Sequence, residues 1–152
     1  IAPTSDRQLP KIKLDLTAAE IIVDPPVLNR LKHQYSDILL QDVEILCYSY
    51  VELFAEKTRA LFERARPRDL YDVVNFYKRP ESKFLAKKVY AVLNKKCAFK
   101  KIKVPEYADL IAYESVCRAG WDIQLSHQLQ SLPSFDSFWS ELPIFLNWLK
   151  MG

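Results

Sequence analysis

Glycine occurs at only two of the 152 positions, Gly120 and Gly152. The phosphate-binding loops G-x-x-x-x-G-K-S/T and G-x-G-x-x-G need several glycines, because their backbone approaches a phosphate closely. The sequence therefore excludes folds built around either loop. Its two histidines, His33 and His127, and its three separated cysteines also exclude the common Cys/His zinc frameworks and most Ser-His-Asp arrangements.

The composition is that of a globular protein, with 49% hydrophobic and 27% charged residues. No uninterrupted apolar run approaches the length of about 18 residues that a membrane span needs, so we expect no membrane segment. Three cysteines without a C-x-x-C pair indicate reduced thiols and a cytoplasmic protein.

Short strands are predicted near the amino terminus. Residues 11–17 (KIKLDLT) alternate between apolar and polar side chains, which is typical of a half-buried strand. Asp15 and Lys13 share its polar face, where Asp15 could be exposed, paired with Lys13 or functional. Residues 27–36 favour a weak helix, and residues 43–48 (VEILCY) a second strand.

Helical patterns dominate from Ser49 onward. Ser49 and Glu52 predict a capping box for a helix over residues 50–65, and Pro67 predicts the first turn of a helix over 67–78. Further helices are predicted over residues 82–96, 106–119 and 121–132. In the last segment, Pro143 should kink or split the helix.

Charged side chains occupy two faces of the helix predicted over residues 50–65. Lys57 and Arg64 fall within its apolar stripe, where a lysine must snorkel, pair with a carboxylate or face an anionic ligand. Asp69 and Asp72 in the next helix are candidate partners. A structural salt-bridge network and a ligand site both remain open. The other face is interpreted as solvated, and it carries Glu52, Glu56, Arg59 and Glu63.

Several of these segments together resemble the AbiEii-type nucleotidyltransferases, which are toxins of bacterial toxin–antitoxin and abortive-infection (phage-defence) systems. The resemblance covers nearly the whole chain and is most specific from Tyr48 to Lys78. Its motifs are Lys13-Leu14-Asp15-Leu16-Thr17, Tyr48-Ser49, Glu52, Ala55-Glu56-Lys57, Ala60-Leu61, Arg64 and Arg68-Asp69-Leu70-Tyr71-Asp72. Trp121, Leu125, Gln128, Leu129, Leu132-Pro133, Phe135, Trp139 and Leu142 also resemble the family's carboxyl-terminal helices.

The resemblance implies an α+β fold, with a nucleotidyltransferase-like palm remnant of short strands followed by a mainly helical half. Residues 1–79 would form part of the nucleotidyltransferase core and residues 80–152 a helical bundle. The family's Gly-Ser and D-x-D motif does not occur in this sequence. We therefore expect an N-terminally truncated fragment that is inactive when isolated.

The resemblance also implies roles for individual residues. Asp15 would hold Mg²⁺ or act as a base, and Lys57 would face the triphosphate of the NTP substrate. Asp69 and Asp72 would orient Lys57, Arg68 or the nucleotide. Arg68 and Glu52 would be further nucleotide-binding residues, although Glu52 could serve only as the capping partner of Ser49.

The basic residues are concentrated between Lys78 and Lys103, where ten lysines and arginines stand against Glu81 alone. A solvated face and an RNA-binding patch both fit this charge. The candidate RNA-binding lysines are Lys83, Lys87, Lys88, Lys95 and Lys100, with Lys96, Lys101 and Lys103 extending the positive field.

The function that the resemblance implies is transfer of a nucleotidyl group from an NTP to an acceptor, with tRNA as the candidate and a cognate antitoxin as the restraining partner. The alternative is a non-catalytic helical module that binds RNA or a partner protein.

Overall fold

The computed structural model describes residues 13–14, 16, 19–31 and 43–151. Within them, two strands precede seven α-helices, so the fold is α+β and mostly helical. The strands are β1 (Val27–Arg30) and β2 (Glu44–Cys47). The helices are α1 (Tyr50–Arg64), α2 (Pro67–Lys78), α3 (Ala86–Lys100), α4 (Tyr107–Ile111), α5 (Glu114–Leu125), α6 (Phe135–Trp139) and α7 (Leu142–Met151), with a 3₁₀ helix at Pro80–Phe84.

The two strands form an antiparallel pair in which Val27 lies opposite Cys47 and Arg30 opposite Glu44. β2 confirms the strand predicted over residues 43–48. The helix predicted over residues 27–36 is wrong at 27–30, because β2 supplies the hydrogen-bond partners that this segment needs. Residues 32–36 of that prediction lie outside the described residues.

Only three residues of the strand predicted over 11–17 are described, namely Lys13, Leu14 and Leu16, and they are not in a strand. The side chains of Leu14 and Leu16 are 78% and 92% exposed. Asp15 lies outside the described residues.

The junction between α1 and α2 follows the prediction closely. The Ser49 hydroxyl accepts a hydrogen bond from the Glu52 amide at 3.0 Å and caps α1. Ala65 ends the helix in the left-handed conformation (φ 47°), and Pro67 occupies the first turn of α2. The chain therefore reverses within two residues, and α1 and α2 pack against each other.

One apolar core joins the helices. α1 packs between α2 and α3, α7 covers α3, and α5 and α6 pack on α2. The rings of Phe54 and Phe145 stack at 5.6 Å between α1 and α7. Further fully buried members of the core are Leu61, Leu70, Val73, Val74, Val89, Leu93, Leu110 and Leu142.

The later helices differ from the predicted ones at their boundaries. α3 begins at Ala86 rather than residue 82, because Pro80 opens a 3₁₀ helix first. The helix predicted over residues 106–119 is interrupted by a turn at 112–113, and the one predicted over 121–132 is helical only as far as Leu125, as the end of α5. Trp121 instead lies inside α5, where it is buried together with Cys117 and Leu125.

Gly120 explains how α5 can run close to α2. A Cβ atom at this position would stand 3.2 Å from Cγ of Pro67, at the start of α2. Glycine therefore permits the approach, although it lowers the helix propensity of α5. At the end of the chain, the split predicted at Pro143 is confirmed by the separation of α6 from α7.

Candidate functional site

Lys57 on α1 contacts two carboxylates on α2. Its Nζ atom lies 2.6 Å from Oδ2 of Asp72 and 3.9 Å from Oδ1 of Asp69. The predicted proximity of Lys57 to these carboxylates is therefore confirmed. Helical geometry explains the arrangement, because Asp69 and Asp72 are three positions apart and share the face of α2 that meets α1.

Arg64 completes the cluster, two helical turns after Lys57. Its Nε and Nη2 atoms donate to the two oxygens of Asp69 at 2.7 and 2.9 Å, which is a bidentate pair. The hydrogen bonds from Arg64 to Asp69 raise the pKa of the guanidinium above its usual value. The Asp69 side chain is only 2% exposed, whereas that of Lys57 is 31% exposed. Asp69 is thus held rigidly and Lys57 remains reachable from solvent.

These side chains line a cleft of about 450 Å³ between α1, α2 and the end of α5. The cationic residues outnumber the carboxylates in its lining, and the exposed Arg66 and Arg68 have no ion-pair partner among the described residues. The cleft also lies at the amino-terminal end of α2, which has no side-chain cap. Both features favour a polyanionic ligand. The lining residues are Lys57, Arg64, Arg66, Arg68, Asp69, Tyr71, Asp72, Leu125, Gln128 and Leu129.

The remaining wall of the cleft combines apolar and amide groups. Tyr71 is fixed by stacking on Phe138 at 5.2 Å, and Leu125 and Leu129 add apolar surface. Gln128 supplies a polar amide at the exposed rim. Apolar side chains beside cationic ones suit a ligand that carries both a ring and phosphate groups.

Cys117 lies behind the cleft but is not a candidate nucleophile. Burial, followed by the Asp69 carboxylate, raises the pKa of its thiol to about 12. The thiol therefore stays protonated near neutral pH, and a protonated thiol is a poor nucleophile.

Glu52 does not line the cleft. It is fully buried, and its carboxylate accepts hydrogen bonds from the amides of Val23 and Asp24, at 2.9 Å for Asp24. Nζ of Lys96, on α3, lies 2.6 Å from Oε1 of Glu52. The Glu52 carboxylate thus joins α1 to α3 and to the segment before β1, instead of closing the predicted capping box.

The predicted solvated face of α1 is wrong for Glu52, Glu56 and Arg59, which are largely buried against α3, and holds only for Glu63, which is exposed. The side chain of Arg59 is 6% exposed and pairs with Glu56 and Glu63. Lys96, which was expected in the exposed positive field, is 2% exposed and also contacts Glu56 at 3.1 Å. A charged face is compatible with burial here because its cations and carboxylates pair with one another.

The candidate RNA-binding lysines remain on the surface. Lys83, Lys87, Lys88 and Lys95 are exposed, and Lys100 is half-buried. Two neighbours in the basic stretch are neutralised locally, since Lys78 pairs with Glu141 and Lys103 with Asp109.

The described residues contain no group of three histidine, cysteine, aspartate or glutamate side chains that could hold a metal ion. Asp69 and Asp72 are already engaged by Arg64 and Lys57. These two carboxylates therefore do not fit a metal site. Asp15, the metal ligand implied by resemblance, lies outside the described part of the chain.

Several cleft residues were not assigned to the site from the sequence. Leu125, Gln128 and Leu129 were noted only as part of the resemblance, although their i, i+3, i+4 spacing indicates one shared helical face. Arg66 carries no such signal. Its position in the cleft follows from the left-handed turn at Ala65.

Comparison with models of protein families identifies the family of this chain. The model of the nucleotidyl transferase AbiEii toxin family, of type IV toxin–antitoxin systems, matches residues 1–141. The chain therefore belongs to the AbiEii nucleotidyltransferase toxin family. Membership implies an NTP substrate and an antitoxin partner, and nucleotidyltransferases generally use a divalent metal. The search of curated proteins gave no match, and neither did the search of solved structures.

No helix in the described ranges is long and apolar enough to cross a membrane.

Replacing Lys96 with alanine should lower the free energy of unfolding by about 3–5 kcal/mol, because Glu52 would stay buried without its cation. Urea denaturation at neutral pH measures the change. Lys95→Ala is the matched control, since this neighbouring lysine is exposed and its loss should change stability by less than about 0.5 kcal/mol. Equal stability of the two variants would contradict the structural role of Lys96.

Glu56 should contribute to the acid dependence of stability. Burial opposes its ionisation, but the hydrogen bonds from Arg59 and Lys96 prevail and lower its pKa from the ordinary 4.5. Its stabilising contribution is thus fully present above pH 4.5 and is lost as the pH falls through the lower folded-state pKa.

We therefore expect the difference in unfolding free energy between the native protein and Glu56→Gln to shrink as the pH is lowered from about 6 to about 3. Urea denaturation across this range measures the difference. Glu63→Gln is the control, because Glu63 also pairs with Arg59 but is 47% exposed. A difference that is constant with pH would contradict the lowered pKa of Glu56.

Proposed function

We propose that the cleft binds the triphosphate of a nucleoside triphosphate and that the chain contributes this part of a nucleotidyltransferase site. The observation that carries the proposal is the position of Lys57. It is held by Asp72 and Asp69 on one side and remains accessible to a cleft that also contains Arg66 and Arg68. A purely structural salt-bridge network would not require Arg66 and Arg68 to line the same cleft.

The chemistry assigned to these residues is electrostatic. In nucleotidyl transfer an acceptor hydroxyl attacks the α-phosphorus, and the bond to pyrophosphate breaks. The ammonium of Lys57, with the guanidinium groups of Arg66 and Arg68, would offset the charge that develops on the leaving pyrophosphate. Asp69 and Asp72 would act by positioning Lys57. Asp15 remains the proposed carboxylate for Mg²⁺ or for deprotonation of the acceptor.

The proposed acceptor is RNA, with tRNA as the candidate, and the proposed biological role is that of a toxin in phage defence. Family membership supports a toxin restrained by an antitoxin. The exposed lysines of α3 support a nucleic-acid acceptor, since they would neutralise backbone phosphates without reading the sequence of bases.

A second candidate function is a non-catalytic helical module that binds RNA or a partner protein. It is favoured by one specific observation, the lack of a Gly-Ser dipeptide and of a D-x-D pair in the sequence. The two functions differ in what the cleft must do, because only the transferase requires it to bind a triphosphate.

Lys57→Ala should weaken ATP and GTP binding by about 10- to 100-fold, because a charge-assisted contact contributes about 1.5–3 kcal/mol. Isothermal titration calorimetry measures the affinity, with Lys95→Ala as a control that removes an equal charge outside the cleft. In a protein that also supplies the D-x-D carboxylates, turnover should fall sharply while the melting temperature changes little. A change confined to thermal stability would favour the salt-bridge interpretation.

The isolated 152-residue chain should not transfer nucleotides, because its sequence lacks the D-x-D carboxylates that the family uses. The measurement is incorporation of α-³²P-labelled NTPs into total tRNA in the presence of Mg²⁺, with a commercial nucleotidyltransferase as positive control. Robust labelling by this chain would show that its own carboxylates suffice, and it would overturn the expectation.

Affinity for tRNA should fall steeply with salt concentration. Each phosphate contact contributes a log–log slope of about −0.7 on single strands, so four or five lysine contacts would give about −3. The comparison is with a variant in which Lys87, Lys88, Lys95 and Lys100 are replaced by glutamine, measured by fluorescence anisotropy. Equal affinity of the two proteins would identify the lysines as a solubilising face.

A further inference from the structure

A continuous groove leads away from the cleft along α2. The cleft shares Tyr71 and Asp72 with a second depression of about 490 Å³. This depression shares Lys78, Arg79 and Pro80 with a third, of about 390 Å³. We name the second and third depressions together the α2 groove. It ends at Lys83 and Trp148, beside the 3₁₀ helix.

We propose that the α2 groove binds the single-stranded end of a nucleic acid, with Arg79 and Lys83 on the backbone phosphates and Phe84 and Trp148 stacked against bases. This inference rests on the proposed function of the cleft as the triphosphate site. It places the reacting end of the acceptor at Tyr71 and Asp72, where the groove opens into the cleft.

The cations of the groove are available to a ligand. Arg79 is exposed, and its guanidinium is held over the rings of Tyr50 and Phe76 at 5.9 and 5.6 Å. Neither Arg79 nor Lys83 has an ion-pair partner among the described residues, whereas Lys78 is occupied by Glu141. A guanidinium fixed on aromatic rings retains its hydrogen-bond donors for a phosphate.

One aromatic ring, that of Trp148, lines the far end of the groove, and a second, that of Phe84, lies beside the lining residue Lys83. Phe84 is 85% exposed, and Nζ of Lys83 stands 5.8 Å from its centroid. A phenylalanine so exposed contributes little to the apolar core, which leaves its ring free to stack. Trp148 is half-buried, fixed against Tyr77 at 5.4 Å, and lines the groove with its remaining surface. Cations interleaved with aromatic rings are typical of grooves that bind single strands without sequence preference.

The charge of the α2 groove favours a nucleic acid over a protein partner. Asp72 is the only acidic residue in its lining, and Lys57 neutralises it. The groove is also continuous with a cleft whose lining is rich in cations. A polyanion that follows the groove therefore meets cations at both of its ends.

The test is binding of a fluorescein-labelled hexaribonucleotide of mixed sequence, measured by fluorescence anisotropy. Phe84→Ser and the double variant Arg79→Gln/Lys83→Gln should each lower the affinity about tenfold, as expected for loss of base stacking or of phosphate contacts. Arg118→Gln/Lys150→Gln removes the same charge from exposed positions outside the groove and outside the α3 lysines. It should change the affinity less than about twofold.

The same variants separate this inference from the proposed function of the cleft. Substitutions in the groove should leave the affinity for ATP unchanged. Lys57→Ala should weaken ATP binding and leave the affinity for the hexanucleotide unchanged. Three results would overturn the groove proposal: no effect of Phe84→Ser, an equal effect of the Arg118/Lys150 control, or equally tight binding of a labelled hexaglutamate peptide. The last result would assign the groove to an acidic protein partner.

Discussion

The buried ion pair between Glu52 and Lys96 is the contact on which the arrangement of the first three helices depends. It joins α1 to α3, and Glu52 also binds the amides of Val23 and Asp24 while Lys96 donates to the carbonyl of Ile21 at 3.0 Å. Desolvating two charges is unfavourable, and these additional hydrogen bonds to the backbone offset part of that penalty. The segment that precedes the sheet is therefore fixed to the helices by polar contacts.

This pair lets α1 serve two purposes with opposite faces. The charged side chains of one face form ion pairs with α3. The other face places Lys57 against the carboxylates of α2. Because Arg64 fixes Asp69, this carboxylate cannot follow Lys57 if a ligand draws the lysine away. A rigid carboxylate beside an accessible ammonium is the arrangement that an electrostatic site for a polyanion needs.

Neighbouring carboxylates also determine which lysines of the basic stretch are paired and which remain exposed. Lysines of similar sequence context have different roles: Lys96 is internal, Lys78 and Lys103 are paired, and Lys83 is exposed at the end of the α2 groove. The basic stretch is thus not one uniform patch. The exposed cations include Arg66 and Arg68 in the cleft, Arg79 and Lys83 in the groove, and Lys87, Lys88 and Lys95 on α3.

The sequence by itself determined the α1–α2 unit and the contact of Lys57 with Asp69 and Asp72, because local helical spacing and the Ser49 and Pro67 signals act within about 25 residues. The motifs also indicated the family. The roles of Asp15 and Arg68 remain predictions, as does the division of the chain into two domains. Only the tertiary structure decided that Glu52 and Lys96 are buried, that residues 27–30 form a strand and that Gln128 reaches the cleft. Each of these depends on a partner distant in sequence, which no local pattern of hydrophobicity or charge specifies.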